Sequence, residues 1–222
     1  MVAADTTRTK YYLEELIKND LLPVYVLLLF NNDQELLPGQ QDNKLANEII
    51  SLLKASNINF YIAKNNNINS DEVVQIISNR EELVFIFSGF GGILLGEHIL
   101  NSGKFFLHIH GGYLPDYKGS TTNYYSLIDE NTIGASSIFL TKEIDCGPVL
   151  LRRKFPAPNE RKDIDHIYDS EVRAKVLIET LEQYVDVGGW NFELENNIGG
   201  ETYYIIHPVL KHLSILANES LK

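Results

Sequence analysis

The segment Val24–Phe30 reads VYVLLLF, with no polar residue at alternate positions. A strand that keeps one face in water alternates apolar and polar side chains, whereas a strand covered on both faces does not. The run is far too short to span a bilayer. It therefore calls for a sheet with layers packed above and below it. Helical patterns flank it. Lys10–Lys18 places Tyr12, Leu13, Leu16 and Ile17 on one face, and Lys44–Ser56 turns Leu45, Ile49, Leu52 and Leu53 inward. Phe60–Ala63 reads as a short strand, and Asp71–Ser78 as a helix opened by Ser70 as its cap. Leu83–Ser88 and Phe105–His110 are further strands, Thr121–Ile128 a helix, and Ala135–Leu140 and Val149–Phe155 strands again. Asp163–Tyr184 reads as a long helix with Tyr168, Val172, Val176, Leu181 and Tyr184 on one side. This alternation predicts an α/β fold, a doubly wound and mainly parallel twisted sheet with helices on both faces. Met1–Asp5 is a stub of a first strand at best. The Asn-rich stretches 31–43 and 65–70 read as loops. Towards the end, 188–200 is turn-rich, Thr202–Ile206 suits a strand, and His207–Leu216 suits a helix with Pro208 near its start.

Composition narrows the function. A formal charge of -11 disfavours a broad grip on phosphate backbones, so nucleic acid is not expected as the main partner. Cys146 is the only cysteine, which excludes an internal disulfide and a cysteine-cluster metal site and suits a reducing compartment. No apolar run has the length of a membrane span, and the opening MVAADTTRTK has no hydrophobic signal core. The expectation is a cytoplasmic protein with no membrane partner.

In wound parallel sheets, ligands bind beyond the carboxyl ends of the strands. Two such places carry reactive groups, His108–Gly112 and Asp145–Gly147. His108 and His110 alternate on one strand and so share a face. Gly111 and Gly112 let the chain turn closely past whatever lies there. Two imidazoles at a strand end suit acid–base work near neutral pH, and equally suit a pair of satisfied structural histidines. Asp145, in the turn Asp-Cys-Gly-Pro, either caps that turn or orients a histidine. His-x-His plus Asp also admits a zinc site, hence a metal-dependent hydrolase. Cys146 has no basic neighbour to make it a nucleophile.

The stretch Ser88–Pro156 carries a resemblance. It holds SGFGGILLGEHIL, then His108-Ile-His110-Gly, Leu114-Pro115 and Gly119, then Ile144-Asp145-Cys-Gly147-Pro148-Val149. In order and spacing it resembles the core of the 10-formyltetrahydrofolate-dependent formyltransferases. That family includes glycinamide ribonucleotide formyltransferase, methionyl-tRNA formyltransferase and the sugar-nucleotide N-formyltransferases. The resemblance implies a catalytic domain over residues 1–185, with 186–222 an extension packed on it or on a dimer partner. It implies formyl transfer from 10-formyltetrahydrofolate to an amine, with no metal. Carried over, His110 is the proton-transferring histidine and Asp145 the aspartate that holds it. The family's asparagine, which binds the formyl oxygen, is replaced by His108, and its proline by Gly111. An imidazole N–H at 108 can still donate to an oxyanion. The folate is expected against Ser88, Gly89, Phe90, Gly91 and Ile93 and against Ile144 and Gly147.

For the acceptor, the resemblance leaves three types. Methionyl-tRNA formyltransferases add a tRNA-holding domain, and the acidic charge disfavours tRNA. Glycinamide ribonucleotide formyltransferases follow their first strand with a Gly-rich phosphate loop, where this chain has Thr6-Thr7-Arg8-Thr9. Thr7 and Arg8 suit a phosphate, and this Thr-Thr-Arg start equally suits ordinary helix capping. The leading expectation is a nucleotide-linked amino-deoxysugar destined for surface polysaccharide. It would be bound by Gly111, Tyr113, Tyr117, Lys118 and Gly119, with Thr7 and Arg8. A homodimer, and a non-catalytic folate- or sugar-binding relative, stay open.

Overall fold

The computed structural model describes residues 1–30, 44–190 and 197–217. The Asn-rich stretch 31–43, for which the sequence suggests a loop, lies outside the described residues, as does 191–196 within the turn-rich stretch 188–200. The described chain falls into two compact units, Met1–His108 and Ile109–Lys222.

The first unit is a wound parallel sheet. Its elements are β1 (Val2–Ala4), α1 (Thr7–Lys18), β2 (Tyr25–Leu29), α2 (Lys44–Ala55), β3 (Asn59–Ile62), α3 (Asp71–Ser78), β4 (Val84–Ser88) and the short α4 (Glu97–Leu100). They lead into β5 (Phe105–His110), whose last two residues open the second unit. The strand order is β3-β2-β1-β4-β5, every pair parallel. Val26–Leu29 of the apolar run are all buried, as a strand covered on both faces requires. Met1–Asp5 is more than a stub. Val2, Ala3 and Ala4 are fully buried; all three pair with β2, and Val2 and Ala3 also pair with β4. Three small residues fill a central strand yet carry no periodicity to announce it. α1 starts three residues before the expected Lys10, because Thr6 caps it by accepting from the Thr9 N–H at 3.2 Å. α3 has its expected bounds with Ser70 at the cap position, but the Ser70 hydroxyl makes no capping bond. Leu45 and Leu52 of α2 are only partly buried; Ala46, Ile49 and Leu53 form its inner face.

The second unit holds β6 (Tyr117–Gly119), α5 (Thr122–Asp129), β7 (Thr132–Phe139), β8 (Val149–Pro156), α6 (Tyr168–Val187), β9 (Glu201–Tyr203) and α7 (Pro208–Leu216). β7 and β8 pair antiparallel, with an irregularity between Ser137 and Ile138. β6 and β9 form a separate parallel pair. α6 begins at Tyr168, not Asp163, and its last turns are solvent-facing, so Tyr184 is exposed rather than inward. Among the described residues no helix is long and apolar enough to cross a membrane.

Candidate active site

His110 ends β5 and is 4% exposed. Its Nε2 lies 2.7 Å from the Tyr117 carbonyl and its Nδ1 3.3 Å from Oδ1 of Asp145. The second Asp145 oxygen accepts the Gly119 N–H at 2.8 Å. Three local features make this possible. Gly112 packs so tightly on the imidazole that a Cβ there would stand 2.7 Å from Nε2. Ser136 braces the loop after His110, donating to the Gly112 carbonyl at 2.7 Å and accepting the Leu114 N–H at 3.0 Å. Asp145 itself sits in the left-handed region at φ 52°, which Asp enters more readily than most non-glycine residues.

Electrostatically the histidine is pulled two ways. Burial holds His110 below the ordinary histidine value; the Asp145 charge and the Tyr117 carbonyl oppose that, and the Arg173 cation adds to it. Both ring nitrogens face acceptors, one carbonyl and one carboxylate. A neutral ring carries one N–H and satisfies one of them; the imidazolium satisfies both. A second proton thus gains a hydrogen bond and loses solvation, the balance a group that takes up and releases a proton needs.

Arg173 on α6 is part of this environment. It donates through Nη1 to the Ile109 carbonyl at 3.1 Å and lies 2.9 Å from Asp169 through Nε. A Cβ on Gly111 would fall inside its guanidinium, 2.6 Å from Cζ and 2.9 Å from Nε. Gly111 is therefore there for space.

The remaining expected residues divide by unit. In the first, His108 is half-buried, with Nδ1 3.3 Å from the Phe87 carbonyl and its ring tilted on Phe87. A carbonyl only accepts, so this contact puts the proton on Nδ1. Arg8 donates to the Ser88 hydroxyl at 3.4 Å and to the Gly89 carbonyl, and Thr9 shares a 2.8 Å bond with Ser88. Arg8 thus braces the start of the expected folate loop, and Thr7, half-buried, follows the cap. Past Gly89 the loop opens: a Cβ on Gly91 would meet nothing within 4 Å, and Ile93 is 46% exposed. Phe90 is half-buried. In the second unit Ile144 is 50% exposed. Gly147 is pressed against the main chain, where a Cβ would overlap the Phe139 carbonyl oxygen.

The aromatic loop is less open than expected. Tyr117 is 4% exposed with its ring stacked on Tyr203 at 5.5 Å, so its contribution to the site is its carbonyl. Lys118 is 5% exposed and donates to the carbonyls of Asn197 and Gly199 at 3.1 and 2.7 Å. Tyr113 is half-buried with Lys154 and Arg152 over its ring at 4.8 and 5.2 Å. Gly119, at φ 94°, takes a conformation closed to most side chains. Among the described residues, no group of three or more His, Cys, Asp or Glu is arranged to hold a metal ion.

The model of the family described as "Formyl transferase" matches residues 1–181. The methionyl-tRNA formyltransferase of Listeria innocua is 25% identical over 119 residues, covering 52% of this chain and 38% of that protein. The chain thus spans less than two fifths of the curated relative it matches. Among solved structures, a phosphoribosylglycinamide formyltransferase from Anaplasma phagocytophilum superposes with a TM-score of 0.64 at 12% identity, covering 92% of this chain and 97% of the other. An N-formyltransferase from Helicobacter canadensis, in complex with folinic acid and dTDP-3-aminofucose, gives 0.58 at 18% identity, covering 91% and 69%. At these identities the structures speak for the fold, and the family match over residues 1–181 shows that the chain belongs to the formyl transferase family.

Proposed function

We propose that this chain moves a formyl group from 10-formyltetrahydrofolate to the amine of a nucleotide-linked amino-deoxysugar. The observation that carries the reading is the buried His110–Asp145 pair at the two positions where the family resemblance expects it. The donor supplies the formyl carbon; the bond from acceptor nitrogen to that carbon forms, and the bond to the folate nitrogen breaks. The acceptor nitrogen must lose a proton and the folate nitrogen must gain one. His110, held by Asp145, is the group suited to move it. His108, two residues earlier on β5, is the donor for the developing oxyanion as the imidazolium, since its Nδ1–H is given to the Phe87 carbonyl and only the doubly protonated ring carries a second N–H, at Nε2.

The chain's residues suit a folate donor. In the first unit Ile93 presents an apolar side chain to solvent and the loop from Gly91 is open. Such surfaces suit a flat pterin bordered by main-chain polar groups. For the acceptor, the absence of a Gly-rich loop after β1 and the charge of -11 speak against a bare ribonucleotide and against tRNA. The Helicobacter canadensis structure, with folinic acid and a dTDP-linked amino sugar, supports the sugar-nucleotide reading. A second reading, glycinamide ribonucleotide, is favoured by the coverage of the Anaplasma phagocytophilum enzyme. On the leading reading residues 1–185 form the catalytic domain and 186–222 an extension. The enzyme works in the cytoplasm, supplying sugars for surface polysaccharide. Incubation with 10-formyltetrahydrofolate and a panel of amino-sugar nucleotides plus glycinamide ribonucleotide, followed by mass, tests it. A formylated sugar nucleotide supports the reading. Formylation of glycinamide ribonucleotide alone overturns the acceptor, and no formyl gain by any amine overturns the activity.

A further inference from the structure

Residues beyond the family match reach the catalytic turn. The side-chain amide of Asn197 donates to two main-chain carbonyls, Asp145 at 2.7 Å and Gly147 at 2.8 Å. It thereby bridges both sides of Cys146 and closes the turn that carries the carboxylate. Its own Oδ1 is buried with no hydrogen-bond partner among the described residues, so the amide acts here as a donor. Asn197 is in turn held: the buried Lys118 ammonium donates to its carbonyl and to that of Gly199. The chain that follows is pressed main chain to main chain. β9 pairs with β6 from Tyr117↔Glu201 to Gly119↔Tyr203. A Cβ on Gly200 would overlap the Pro115 carbonyl, and one on Gly119 the Tyr203 carbonyl. Tyr203 stacks on Tyr117, whose carbonyl faces His110.

These contacts converge on one element. Asp145 at φ 52° occupies the sparsely populated left-handed region, which Asp enters more readily than most residues, and contacts from outside the turn fix it there. Gly119 N–H holds the carboxylate from the β6 side, and Asn197 holds the turn's main chain. We infer that Asn197 is a positioning residue, which keeps Asp145 turned towards His110 and makes the segment 197–203 a working part of the catalytic centre. The inference deepens the formyl-transfer reading and rests on it for its catalytic meaning, while its structural claim is independent of substrate.

The test uses Asn197→Ala and the near-isosteric Asn197→Asp, which lacks both N–H donors, in the full chain. Two readouts are taken. The first is kcat and the KM for 10-formyltetrahydrofolate. The expected result is a kcat lower by about 10- to 100-fold with KM unchanged, as a small misplacement of a catalytic group produces. The second is the NMR signals of the His110 ring at neutral pH, compared with those in Asp145→Asn. Groups facing that ring are Asp145, the Tyr117 carbonyl, and Arg173 and Asp169 from α6. In both Asn197 variants the His110 signals should move towards the Asp145→Asn positions. Thr180→Val, which removes a buried hydroxyl on the far part of α6, controls for general destabilisation and should leave them in place. Wild-type His110 signals in a folded Asn197→Asp overturn the inference. Should Asn197→Ala fail to fold, Asn197→Asp alone decides. If the wild-type protein transfers no formyl group but the His110 signals still move, the formyl-transfer reading falls and the positioning stands.

Discussion

Replacing Gly111 by alanine drives a methyl group into a buried guanidinium. The added carbon would stand 2.6 Å from Cζ of Arg173, and ordinary contact between such atoms begins near 3.4 Å, so the side chain must retreat by roughly 1 Å. It is held against that movement by Asp169 at 2.9 Å and by the Ile109 carbonyl at 3.1 Å. The Arg173 and Asp169 side chains are 16% and 9% exposed, so neither regains much water when the contact loosens. Overpacking of a dense interior costs about 1–3 kcal/mol. Loss of the charge-assisted bond to Ile109 adds about 1–2 kcal/mol. Against these stands a gain of about 0.4–1 kcal/mol from the stiffer unfolded chain. The net expectation is a loss of about 2–3 kcal/mol, read as a fall of roughly 4–12 °C in the unfolding midpoint for a chain of this size. The assay is thermal or urea unfolding of four proteins: wild type, Gly111→Ala, Arg173→Ala and the double variant. Arg173→Ala removes the obstacle, so in that background Gly111→Ala should cost less than about 0.5 kcal/mol, a coupling of about 2 kcal/mol. An equal cost in both backgrounds would show that the penalty does not come from the guanidinium.

Further expectations follow from the turn and from β5. Gly147→Ala meets a main-chain carbonyl, which cannot swing aside as a side chain can. It should cost about 3 kcal/mol in unfolding and disturb the Asp145 turn, and a variant as stable as wild type would contradict the packing described here. His108→Asn restores the family's amide and should keep kcat within roughly tenfold of wild type, since one hydrogen-bond donor replaces another. A much larger gain in steady-state turnover would show that His108 had disabled the native site.

The fold was legible where periodicity is long and failed where contacts are made by main chain. Val24–Phe30 and Phe105–His110 became β2 and β5 because an unbroken apolar run has few alternatives. β1 looks like a stub in the sequence because Val-Ala-Ala has no period, although its burial is complete. β7 starts at Thr132, earlier than expected. Gly134 looks like loop punctuation in sequence, but it marks close approach: a Cβ there would overlap the main chain of Tyr113. The Asp163–Ile167 stretch looks helical by composition, yet α6 begins only at Tyr168. In the site, His110 and Asp145 can be singled out in the sequence because one ends an apolar strand and the other follows the next. Arg173 leaves only the trace of an acid four residues earlier on its helix. Asn197 leaves none, since an amide donating to two carbonyls from a turn-rich stretch has no sequence pattern. Tyr117 and Lys118 illustrate the converse. Ring and ammonium looked available for a ligand, but one is stacked on Tyr203 and the other holds the Asn197 segment.

The most direct test is formyl transfer measured by mass on wild type and Asp145→Asn side by side, with 10-formyltetrahydrofolate and the panel of amines. The account predicts a formylated amino-sugar nucleotide from the wild type and a rate lower by about 10²-fold or more from the variant, with its donor affinity retained. Wild-type turnover by Asp145→Asn, or no formylated amine from either protein, would contradict it.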